Sequence, residues 1–129
     1  MAVVALLAMS ACYVTSSGST GGELTVGSGL SFMNEITVVF EGVSQDSRCP
    51  EGVQCVRAGE ALVDLSLQAR GELEDRQVQL VIAPGGSAST RFAGFMVTLT
   101  ALEPDPPPQR TAGEAIDYVA HIEIEESDQ

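Results

Sequence analysis

Cys49 and Cys55 are the residues whose type and spacing most invite chemistry, closed around Pro50, Glu51, Gly52, Val53 and Gln54. Two thiols so placed can join as a disulfide, share a metal or cycle as redox thiols. Pro50 and Gly52 supply turn geometry between the sulfurs. A zinc site needs further thiolates or imidazoles, and the chain holds only Cys12 and a single histidine, His121, besides. The gap is longer than the Cys-x-x-Cys of thiol oxidoreductases. His121 sits in an alternating run, far in sequence from any nucleophile, and reads as a solvated strand histidine. Hydrolysis by a side-chain nucleophile also needs a base and an orienting group, but the serines cluster in turns and near the N-terminus. There is no Gly-x-Ser-x-Gly elbow, Walker motif or dinucleotide fingerprint. Glu72, Glu74 and Asp75 crowd one turn, which neither sets two carboxylates across a cleft nor matches the spacing of a calcium loop. The expectation is a protein that is not an enzyme and carries no metal or other cofactor.

Charge narrows the partners. The formal net charge is −12, and all six cations are arginines: Arg48, Arg57, Arg70, Arg76, Arg91 and Arg110. Such an excess repels nucleic acid and anionic lipid headgroups. Its plainest use is solubility.

The N-terminus sets the compartment. Ala2, Val3, Val4, Ala5, Leu6, Leu7 and Ala8 form an apolar run closed by Met9, Ser10, Ala11 and Cys12, with a Ser/Gly/Thr tract over 15–22. The run has the length of a secretory h-region rather than of a membrane span. It resembles a bacterial lipoprotein signal, in which the chain is cut before the cysteine and the thiol takes lipid. The positive n-region is missing, which a start codon placed too late explains. The resemblance implies lipidation at Cys12 and a bacterial cell envelope location, with the outer membrane or periplasmic face favoured. The alternative is a secreted protein cut near Ala11. Either places Cys49 and Cys55 in an oxidising compartment, where an even pair favours a disulfide. So short a loop gains only about 2 kcal/mol from cross-linking, so its main effect is to stiffen a protruding turn.

Positioning falls to strands. Side chains of a strand alternate between two faces. Ile36, Val38 and Phe40 alternate with Glu35, Thr37 and Glu41. Ala61, Val63, Leu65, Leu67 and Ala69 alternate with Glu60, Leu62, Asp64, Ser66 and Gln68. Val78, Leu80 and Ile82 form a third set, Phe95, Val97, Leu99 and Ala101 a fourth, and Tyr118, Ala120, Ile122 and Ile124 a fifth. Shorter strands are expected at 24–26 and 53–57. Turn residues separate the runs at 71–75 and 84–87, and the prolines of 103–108 open an extended surface loop. The pattern predicts an all-β fold, an antiparallel β-sandwich of immunoglobulin-like architecture with about seven strands and one disulfide. The domain plan is signal peptide 1–11, lipidated Cys12 and flexible tether 12–22, sandwich 23–125 and acidic tail 126–129.

Around the cysteines, Asp46, Ser47, Arg48, Cys49 and Pro50, then Cys55, then Gly59, Glu60 and Ala61, resemble the core of a group of small uncharacterised bacterial lipoproteins. Arg57 stands where that group usually has Trp. The resemblance implies export and architecture, not mechanism. The residues themselves suggest a loop network. Arg48 can make bidentate bonds to a carboxylate and so tie Asp46 or Glu60 across the loop base, while the Ser47 hydroxyl caps the turn. The expected function is an envelope-anchored, non-enzymatic binding or structural module, with a membrane anchor and an envelope protein as partners. The alternative is an inhibitor of an envelope or extracellular protease, acting through the Cys49–Cys55 loop with Arg48 beside it.

Overall fold

In the computed structural model, residues 18–109 and 115–127 are described. They form eight strands: β1 (Ser19–Thr25), β2 (Gly29–Phe32), β3 (Ile36–Asp46), β4 (Ala61–Ala69), β5 (Arg76–Ile82), β6 (Ala88–Phe92), β7 (Phe95–Glu103) and β8 (Val119–Glu126). They make two four-stranded antiparallel sheets, ordered β1-β8-β7-β6 and β2-β3-β4-β5. The sandwich and its disulfide are as expected from the sequence, with eight strands in place of about seven. Neighbours within a sheet are consecutive in the chain except β1 and β8. The immunoglobulin likeness is therefore one of packed layers, because hairpins replace Greek-key connections.

The alternating apolar sets fill the space between the sheets. Val38, Phe40, Leu65, Val97, Leu99 and Ile124 are fully buried. Two bulges in β3, at 40/42 and 43/45, each insert a residue opposite the β4 ladder. Each one flips the alternation. Together they cancel, so Asp46 returns to the core face opposite buried Ala61. A bulge in β7 between Leu99 and Ala101 has the opposite outcome for the sequence reading. It sends Leu102 inward, 1% exposed, where strict alternation had put Ala101.

Three further departures have local causes. β2 and β6 are short strands that the periodicity did not reveal. Each ends in a hairpin with left-handed residues, Met33 (φ 56°) and Asn34 (φ 53°) after β2, and Ala93 (φ 51°) and Gly94 (φ 82°) after β6, the geometry that suits a two-residue turn between twisted strands. No strand forms over 53–57; those residues are exposed loop. Finally, β1 starts at Ser19, inside the stretch assigned to the tether. Gly21 and Gly22 pair with Glu123 and Ile122, since the β8 edge accepts any backbone whatever its side chains. The assigned signal peptide, residues 12–17 of the tether, and residues 128–129 of the tail lie outside the described residues.

Leu99 is fully buried and Val81 is about half exposed. Leu99→Ala is expected to cost about 2–5 kcal/mol in urea unfolding, and Val81→Ala less than about 1 kcal/mol.

Candidate functional site

The sequence-predicted residues gather at one end of the sandwich. Asp46 closes β3, and its carboxylate meets Arg48 in a two-pronged pair. Arg48 Nε donates to Oδ1 and Nη2 to Oδ2, both at 2.9 Å. The Arg48 backbone N–H adds a bond to Oδ1 at 3.2 Å, and the Tyr118 hydroxyl donates to Oδ2 at 3.0 Å. Arg48 Nη1 reaches across the sandwich to the Leu102 carbonyl at 3.0 Å, with Asp105 Oδ1 at 3.9 Å. Arg48 is 3% exposed. The pair thus bolts the end of β3, in one sheet, to the ends of β7 and β8, in the other.

Of the two acids offered to Arg48 by the sequence, Asp46 is the partner. Glu60 joins the site through its backbone. Its carbonyl accepts from Ser47 N at 2.8 Å and from the Ser47 hydroxyl at 3.0 Å, and its N–H donates to that hydroxyl at 3.1 Å. The side chains of Glu60 and Arg57 are exposed and outside the network. The sequence did not point to Tyr118, Asp105 or the Leu102 carbonyl. Tyr118 alone carried a signal, as the one hydroxyl-bearing residue on an otherwise aliphatic strand face.

Electrostatics follow from the bonds. Burial alone would push the Asp46 carboxyl up, but the bonds from the Arg48 side chain and backbone and from Tyr118 outweigh it, leaving the pKa below its ordinary 3.8. Burial likewise opposes the charge on Arg48, and Asp46 more than restores it, so its pKa is raised.

The disulfide joins Cys49 and Cys55. Cys49 N–H donates to the Ala58 carbonyl at 3.1 Å, closing the loop above its base. Gly59 (φ 74°) permits this closure: a Cβ there would fall on the Ser47 carbonyl and 2.9 Å from Arg48 Cα. The loop then docks on the proline segment. Glu51 N–H donates to the Pro107 carbonyl at 2.8 Å, and Gln109 Nε2 to the Glu51 carbonyl at 2.9 Å. Pro50 and Pro107 line a small cavity of about 130 Å³ over the Asp46–Arg48 pair. A wider cleft of about 530 Å³ lies beside it, between Pro104, Pro108 and Ile116 and rimmed by Glu103, Asp105 and Asp117. Val53 and Val56 remain exposed at the loop, Val56 fully so.

His121 lies apart on the outer face of its sheet, with Nδ1 3.7 Å from Glu23 and Nε2 3.3 Å from Glu103. Among the described residues no three His, Cys, Asp or Glu side chains are grouped to hold a metal, and no helix is long and apolar enough to cross a membrane. Cys12 lies outside the described residues. Compared with known proteins, the chain matches no family model, no curated protein and no solved structure.

Removing one member of a buried pair strands the other's charge, so Arg48→Ala is expected to cost about 3–5 kcal/mol in thermal or urea unfolding. Arg48→Lys should not restore it, because an ammonium cannot make the planar two-pronged contact. A depressed Asp46 pKa means that the carboxylate's contribution is complete above 3.8 and fades as pH falls through its lower folded value. Acid titration of stability should therefore show a loss below that pH in the native protein and a smaller one in Asp46→Asn.

Proposed function

We propose that the protein is an envelope lipoprotein, anchored through a lipid on Cys12, that works as a non-enzymatic binding module and offers its disulfide end to another envelope component. One observation carries this reading. The chain enters the sandwich at Ser19, and that end of β1 lies beside the C-terminal end of β8, with Ser19 opposite Glu125. The disulfide and proline loops occupy the opposite end, beyond Asp46 and Glu103. The nine-residue β4 alone sets the two ends about 30 Å apart. A lipid near the N-terminus would hold one end at the bilayer and turn the other outward.

Two features support contact at the outward end. The loop is pre-organised by the disulfide, the Ser47–Glu60 bonds and docking on Pro107, so little ordering entropy would be lost on binding. It also exposes Val53 and Val56 on an otherwise acidic molecule, a small apolar contact with a polar surround. The motif running from Asp46 to Ala61 that resembles small bacterial lipoproteins agrees with this assignment of the anchor and loop.

Inhibition of a protease stands second, in altered form. Arg48 is buried and paired, so it cannot be the residue presented to an enzyme. A substrate-like contact would have to come from Val56 and Arg57, both exposed.

Fractionation tests the anchor: Cys12→Ser should move the protein from the membrane pellet to the soluble fraction and abolish labelling by a fatty-acid analogue. Unchanged fractionation would remove the lipoprotein reading. A photo-crosslinker at Val56 should capture an envelope component that the same group at Met33, at the anchor end, does not.

A further inference from the structure

The other end of the sandwich holds a feature that this reading leaves unused. Arg76 opens β5 and Arg91 lies in β6, the edge strands of opposite sheets on one side of the molecule. With Phe92, Phe95 and the hairpin residues Ala93 and Gly94 they line a cavity of about 400 Å³. That volume suits a small ligand.

Its chemistry is the reverse of the surrounding surface. The chain has 18 acidic residues and six arginines. Arg48 is spent inside the protein. Arg76 and Arg91 share one cavity, and neither is paired with a carboxylate among the described residues. Asp75, next to Arg76, instead accepts from Gln68 Nε2 at 3.1 Å. Arg76 lies over the Phe92 ring, its Cζ 6.0 Å from the centroid. A guanidinium attracted to a ring from that distance still has N–H groups to offer an oxyanion. Phe95 is held edge-on by Phe32, with ring centroids 6.0 Å apart and planes at 84°, so the apolar wall is fixed.

We propose that this cavity binds a small oxyanion carried on an apolar body: a carboxylate or phosphate monoester with an aromatic or aliphatic flank. The two arginines take the oxyanion, and Phe92 and Phe95 take the flank. The site lies far from the disulfide loop and does not depend on lipid at Cys12.

Calorimetric titration of the full chain with benzoate, phenyl phosphate, benzyl alcohol and inorganic phosphate tests both halves of the site. At least one of the two aromatic anions should bind, and the preference between them identifies the oxyanion. Benzyl alcohol, which lacks the charge, and inorganic phosphate, which lacks the flank, should each bind at least about tenfold more weakly. Arg76→Gln and Arg91→Gln should each weaken the aromatic anion by about tenfold with melting unchanged. Arg70→Gln makes the same change in net charge outside the cavity and should leave binding as it was. Benzyl alcohol binding as tightly as either anion, equal effects of Arg70→Gln and Arg91→Gln, or no heat with either aromatic anion would overturn the proposal.

Discussion

One buried ion pair organises this molecule. A guanidinium and a carboxylate withdrawn from water are costly unless their remaining hydrogen-bonding groups are met. Here Asp46 accepts from the Arg48 side chain and backbone and from Tyr118, while Arg48 also donates to the Leu102 carbonyl. Those partners come from both sheets, so the demand for satisfaction becomes a demand for alignment. An apolar plug could fill the same space, but it would tolerate sliding of one sheet over the other. The bonds to Leu102 and Tyr118 do not.

The carboxylate surplus is accommodated by placement. On the outer face of the β1-β8-β7 sheet, Glu123 stands between Gly21 and Thr98, and Glu125 between Ser19 and Met96. Like charges directly opposite across strands are destabilising, and these pairings avoid them. Glu23, opposite His121, meets the sheet's one imidazole. On the other sheet the uncharged Gln79 amide donates to both Asp64 and Ser44, at 2.9 Å each, so a neutral donor meets a carboxylate on the polar surface. Charge of one sign also discourages pairing between exposed sheet edges of two molecules.

Legibility in the sequence followed physical range. β3, β4, β5, β7 and β8 could be read because each buries one face along several turns of the two-residue repeat. β2 and β6 are too short for the repeat to stand out, and β1 is masked by Ser, Thr and Gly, whose types announce a linker. Only the end of β1 was legible, in the strand expected at 24–26, which overlaps it at Leu24 and Thr25. What pairs the rest is neighbouring backbone, which leaves no mark on side-chain pattern. The bulges were equally silent, and one of them exchanged Ala101 for Leu102 in the core. In the candidate site the local half was readable: Asp46, Ser47, Arg48 and the cysteines lie within a few residues of one another. The distant half, Leu102, Asp105 and Tyr118, depended on how the two sheets face each other. The choice between Asp46 and Glu60 for Arg48 rested on that same facing, because only Asp46 points inward.

Cross-link and ion pair differ in the stretch of chain each requires. The disulfide closes over a separation of 6 residues, whereas Arg48 must find a carbonyl 54 residues further on. A nascent or truncated polypeptide lacking β7 and β8 could oxidise its cysteines and still have nowhere to bury the adjacent cation. Oxidation state is therefore a poor gauge of whether this domain has matured, and occlusion of the Arg48 side chain is a good one. A reagent selective for accessible guanidinium groups would tell finished molecules from half-built ones that a thiol assay scores as identical.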